Sequence, residues 1–155
     1  DESVRMFKSN FMDLFSRKII GCSMSTHVDK NLTINALNMA IIDRNSKHMT
    51  IHHSDQGIQY ACLEYVSTLK ERQFKISMAR IGNPYDNAIV ERFMRTLKYE
   101  EVHLNDYQTI HDVAKNVPFF IKEVYNKKRL HSALGYLTPD EFEAKFITNF
   151  QPVPV

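Results

Sequence analysis

The chain has 155 residues, 43% of them hydrophobic and 11% aromatic, which fits one globular domain and excludes a disordered segment. Its formal net charge is only +2, so any affinity for nucleic acid must come from local clusters of Lys and Arg. Cys22 and Cys62 have no partner at metal-ligand spacing, which argues against a zinc site or a disulfide framework and for buried thiols in a reducing compartment.

The opening Asp1-Glu2-Ser3-Val4-Arg5 has no signal-peptide character, and no apolar run approaches the roughly 18 residues of a membrane span. Lacking an initiating Met, the chain reads as a fragment or as the later part of a longer polypeptide. Residues Val4–Leu14 predict a strand, although Lys8, Ser9 and Asn10 make it unusually polar. A turn follows at Asp13–Arg17, then a second strand over Lys18–Met24. From Asp29 or Asn31 to Asn45, Leu32, Ala36, Met39, Ala40 and Ile42 recur near helical spacing.

His48–His52 predicts a short strand running into Asp55. Leu63, Val66 and Leu69 predict an amphipathic helix over Tyr60–Arg72, and Phe74–Met78 the next strand. Asp86–Glu101 predicts a helix with Asp86 as N-cap and an apolar stripe of Val90, Phe93, Met94 and Leu97. Asp106–Asn126 predicts another, kinked or divided by Pro118. Thr138-Pro139-Asp140-Glu141 carries a capping-box pattern that opens a last short helix. Early strands, then alternating helix and strand, then closing helices give an α/β fold with a mixed sheet. One domain over 1–147 is expected, with an extended tail at 148–155.

The chemistry centres on two acids, Asp55 in His52-His53-Ser54-Asp55-Gln56-Gly57 and Glu91 in Asn87-Ala88-Ile89-Val90-Glu91; since 91 − 55 = 36, 35 residues lie between them. Two carboxylates from distant positions suit Mg²⁺ and phosphoryl transfer. The plainer readings are a turn cap for Asp55 and an i,i+4 pair with Arg95 for Glu91. Asn87, Arg95 and Lys98 share the Glu91 face and could contact phosphates. Gln59, Asn83 and Asn87 are polar groups near the acids, whose alternative role is turn and cap chemistry. His52 and His53 point to opposite faces of a strand, which disfavours both as ligands. Lys122, Lys127, Lys128, Arg129 and His131, with Tyr125 among them, form the basic patch; a solvated helix end is the alternative.

The words Asp13-Leu14-Phe15-Ser16-Arg17-Lys18, His53–Tyr60, Gly82–Glu91, Thr96-Leu97-Lys98 and Tyr125–Pro139 together resemble the integrase catalytic core of IS3-like insertion-sequence transposases. The resemblance covers roughly Asp13 to Phe142, with the words in the family order and the family's spacing between second and third acid. It implies an RNase H-like fold, Mg²⁺-dependent cleavage and strand transfer of DNA (Mn²⁺ substituting), and Asp55 and Glu91 as second and third catalytic acids. It also implies DNA as partner, homo-oligomers on DNA ends, and a bacterial cytoplasmic, nucleoid-associated setting without a membrane. The first acid of such proteins sits on an opening strand that the chain is expected to lack; Asp13 is instead expected to satisfy the following turn. An inactive fragment that still binds nucleic acid, or an RNase H-like nuclease, are the alternatives.

Overall fold

The computed structural model describes residues 7–27, 30–45, 50–80, 87–105, 107 and 109–149. Strand β1 (Phe7–Met12) pairs antiparallel with β2 (Ile19–Ser25). Asp13 ends β1 as expected of a turn residue, its Oδ1 accepting the N–H groups of Phe15 at 2.9 Å and Ser16 at 3.4 Å. Helix α1 (Lys30–Arg44) lies on β2 so closely that a Cβ on Gly21 would stand 2.2 Å from the Ala36 carbonyl oxygen. This approach selects Ala36 and Ala40 for the contact face. Ile34 and Leu37 complete the buried side, whereas Met39 and Ile42, expected on it, are exposed.

Strand β3 (Ile51–Ser54) runs parallel to β4 (Lys75–Met78), and the crossover carries a 3₁₀ turn (Ile58–Ala61) and helix α2 (Leu63–Glu71). The stripe expected on α2 is rotated: Tyr65 and Leu69 are buried and Val66 half-buried, while Leu63 at the helix start is 88% exposed. Tyr65 takes the inner position because its hydroxyl reaches His52 on β3, at 3.0 Å from Nε2.

Helix α3 (Ala88–Leu97) buries Phe93 and Leu97 on the stripe the sequence predicts, then continues through a π turn (Lys98–Val102) to Asn105. Its expected N-cap, Asp86, lies outside the described residues; Asn87 is the flanking residue observed. Helix α4 (Ile110–Phe119) opens on a Thr109–Asp112 capping box that the sequence reading missed. It runs through Pro118 and widens into a π-helical stretch, Phe120–Tyr125. The missing Pro118 N–H removes one helical bond, and α-type bonding resumes at Phe120, whose N–H donates to the Asn116 carbonyl. Helix α5 (Pro139–Asn149) begins with the predicted capping box: Thr138 N–H donates to Glu141 at 2.9 Å, and Glu141 N–H to Thr138 Oγ1 at 3.2 Å.

Side-chain alternation along β1 and β2 separates two cores. Met12, Cys22 and Met24 pack with Phe93, Leu97, Val117 and Tyr125 from the later helices, whereas Phe11 packs with Leu37, Tyr65 and Leu69. Among the described residues, β1 pairs only with β2 and β3 only with β4. A cleft of about 980 Å³ separates the two pairs. Asn10–Phe15 line one wall and Thr50–Ser54 the other. Consecutive residues line it, so it runs along the strand edges rather than over a sheet face. Arg44, shortly before β3, pairs with Asp13 at the end of β1, so the end of β1 lies beside the start of β3.

Candidate metal and nucleic-acid site

Asp55 immediately follows β3, at the carboxyl end of the parallel pair where α/β folds present ligand-binding groups. Ladder closure fixes that end: Ala79 N–H donates to the Ser54 carbonyl at 2.7 Å, and Gln56 Nε2 to the Ala79 carbonyl at 3.1 Å. The Asp55 side chain is exposed, and its Oδ1 accepts the Gly57 N–H at 2.8 Å. The turn-capping role and a ligand role are therefore compatible, since the residue is exposed and only Oδ1 takes the Gly57 N–H. Gln59 donates to the Tyr60 phenol, whose pKa is raised by burial and by the Asp55 charge.

His52 and His53 behave as adjacent strand residues should. Burial, with His53 adding to it, pushes the His52 imidazole down to about 4, and its Nε2 is engaged by Tyr65. His53 Nδ1 lies 3.0 Å from Ser77 Oγ, and its Nε2 is enclosed at the cleft wall with no hydrogen-bond partner among the described residues.

Glu91 is exposed in the first turn of α3. Among the described residues it forms no ion pair with Arg95, so the pairing offered as its plain role is not made. The preceding Asn87, Ile89 and Val90 line the same cleft as Ser54. Both acids thus sit on segments bordering one cleft. Asn87 makes no side-chain cap bond to the helix, which leaves its amide available. Arg95 and Lys98 are exposed along the same helix. Asn83 lies outside the described residues.

A cation that the sequence reading passed over, the half-buried Lys8 of β1, stands near Lys98. Burial, together with the Lys98 charge, lowers its pKa. Its polarity within a strand was the available signal.

The C-terminal basic patch is partly neutralised. Lys127 holds both carboxylate oxygens of Glu123 at 2.9 Å, and Arg129 pairs with Glu100. Lys128 is exposed and makes no ion pair among the described residues. The sequence reading also missed a half-buried ionic cluster in which Glu143 of α5 meets Arg44, Lys18 and Ser16. Arg44 and Ser16 hold the Glu143 carboxyl below its ordinary range although burial acts the other way.

Among the described residues no group of three His, Cys, Asp or Glu side chains is placed to hold a metal ion. Asp55 and Glu91, on segments that border the cleft, carry the hard oxygen donors that Mg²⁺ takes when phosphate and water complete its shell.

The integrase core domain profile matches residues 5–84, and a second integrase core domain profile matches residues 72–139. The chain belongs to the integrase core domain family, in the form carried by IS3-like transposases. It is 39% identical over 132 residues to the transposase for insertion sequence element IS904 of Lactococcus lactis subsp. lactis (strain IL1403), covering 85% of this chain and 52% of that protein. It is 38% identical over 134 residues to the transposase InsF for insertion sequence IS3A of Escherichia coli (strain K12), covering 86% and 46%. The chain therefore spans about half the length of the curated relatives it matches.

The fold is that of retroviral integrase catalytic cores. A chain of the simian T-cell lymphotropic virus intasome bound to PP2A regulatory subunit B56 gamma superposes with TM-score 0.75 at 16% identity, covering 99% of this chain and 53% of that one. The HTLV-2 integrase catalytic core domain in complex with magnesium superposes with TM-score 0.64 at 15% identity, covering 88% and 92%. No helix among the described residues is long and apolar enough to cross a membrane.

Proposed function

We propose that the chain is the catalytic core of an IS3-type transposase, in which Asp55 and Glu91 are two of three carboxylates that hold Mg²⁺ for cleavage and joining of DNA. The observation that carries this reading is the attachment of both acids to segments bordering one cleft, Asp55 after β3 and Glu91 in the first turn of α3. The third carboxylate would enter on a strand seated between β1 and β3, which do not pair with each other among the described residues.

Bound Mg²⁺ would supply activation of an attacking water or 3′-hydroxyl and stabilisation of the leaving oxygen. The Gly57 N–H orients the Asp55 carboxylate that, with Glu91, would hold the ion. Gln59 and Asn87 offer amides to a phosphate, and Asn83 is included on its sequence context alone. Arg95, Lys98, Lys127, Lys128 and Arg129 would hold the DNA backbone, with the exposed Lys98 and Lys128 the most available. The same chemistry brings assembly as a homo-oligomer on DNA ends and a place beside the nucleoid of a bacterial cytoplasm.

A second reading takes up the absence, among the described residues, of a third acid placed with Asp55 and Glu91: the chain binds nucleic acid without cutting it. A strand-transfer assay with element-end DNA in Mg²⁺ or Mn²⁺ separates them. The proposal expects little joining from residues 1–155 alone and joining by a version lengthened at the amino end by an aspartate-bearing strand. That activity should vanish in Asp55→Asn and in Glu91→Gln. Inactivity of the lengthened version would leave the binding-only reading, and cleavage of RNA–DNA hybrids without joining would point to a nuclease instead.

A further inference from the structure

Two sequence words more than a hundred positions apart are clasped together at Asn126. Its side chain accepts the Ile19 N–H at 3.0 Å and donates to the Ile19 carbonyl at 2.9 Å. The clasp sets Arg17, in the β1–β2 turn, beside the Tyr125–His131 segment. The His131 ring stands edge-on to Tyr125, with centroids 5.2 Å apart and planes at 78°. Arg17 and Arg129 both act electrostatically on the Tyr125 phenol and on the His131 imidazole, and Glu100 is paired to Arg129.

The local balance is cationic, two guanidiniums against one carboxylate. It is also incompletely satisfied. Arg17 Nη1 and His131 Nε2 are enclosed and have no hydrogen-bond partner among the described residues. Arg17 further holds a left-handed backbone, φ 63°, which a residue with a Cβ adopts at a cost. Enclosed polar atoms without partners need an occupant or a purpose. A guanidinium fork matches a tetrahedral oxyanion better than it matches another cation.

We propose that Arg17, Arg129 and His131 form a phosphate-binding pocket against the Tyr125 edge, occupied in use by a phosphodiester of the DNA backbone. The choice of DNA as the source rests on the function proposed above; the affinity for a phosphate group does not. Arg17 is the anchor of the pocket, because Arg129 is shared with Glu100. Lys127 and Lys128 then form an outer rim and not the centre of the contact.

Inorganic phosphate titrated into the isotopically labelled chain tests the pocket directly. The His131 ring resonance, assigned by its loss in His131→Gln, should shift saturably, and the shift should disappear in Arg17→Gln. In duplex binding across a salt series, Arg17→Gln should weaken affinity about tenfold and reduce the slope of log K against log salt by about one, with Arg17→Lys intermediate. A His131 resonance that phosphate leaves unmoved overturns the pocket, whatever the variants do with DNA. A saturable shift in a chain that binds no duplex keeps the pocket as a free-phosphate site and sinks only the DNA reading. Should Arg17→Gln fail to fold by circular dichroism, the unaltered chain and Arg17→Lys still decide the question.

Discussion

His52 is buried against Tyr65, Tyr60 and Phe11, with its Nε2 at 3.0 Å from the Tyr65 hydroxyl. Burial holds its folded-state pKa near 4, below the ordinary 6.5, so the neutral ring is the form that folds. Its contribution is present above about pH 6.5 and is lost as pH falls towards 4, because the unfolded chain binds the proton first. Urea unfolding at pH 7 and pH 5 should therefore differ by about 2 kcal/mol through this residue, and His52→Gln should flatten the difference. Asn126 makes a second residue-level case. Replacing it with Ala strands the Ile19 N–H and carbonyl, and should cost about 3 kcal/mol in a denaturant midpoint series. The turn role of Asp13 was legible because Asp satisfies donors of its own turn. The roles of His52 and Asn126 were not, since their partners come from α2 and from β2.

Between elements, contact quality depends on a few positions. Gly21→Ala would drive a methyl into the Ala36 carbonyl, and the neighbour is helix backbone that cannot move aside cheaply. A loss of about 3 kcal/mol is expected from thermal or urea unfolding. Glu143→Gln would remove the charge that Arg44 and Lys18 share, leaving them Asp13 and Asp140, and should loosen α5 from the β1–β2 turn by about 1 kcal/mol in the same measurement. Strands, helices and the α5 capping box could be read from local pattern, because propensity and capping act over a few residues. The buried faces of α1 and α2 could not. Gly21 turns α1 by demanding small residues opposite it, and the hydrogen bond to His52 turns α2 by drawing Tyr65 inward. The π-helical stretch after Pro118 is likewise a matter of backbone hydrogen bonding, which side-chain periodicity does not encode.

For the molecule as a whole, the cleft between the two strand pairs organises the proposed metal site. Family resemblance made Asp55 and Glu91 visible as a pair, and the fold attaches both to segments that border this cleft. What sequence could not convey is that β1 and β3, which do not pair with each other among the described residues, line opposite walls of a cleft of about 980 Å³, since pairing is a property of tertiary arrangement. Nor could it tell that Arg129 is partly neutralised by Glu100, 29 positions away, while Arg17 comes to act on His131 beside it. The central claim is that Asp55 and Glu91 share one metal ion. Mn²⁺ titration of the chain, followed by loss of the free-ion electron paramagnetic resonance signal, tests it most directly. The account predicts one weak site that Asp55→Asn and Glu91→Gln each abolish; binding that survives either substitution unchanged would contradict it.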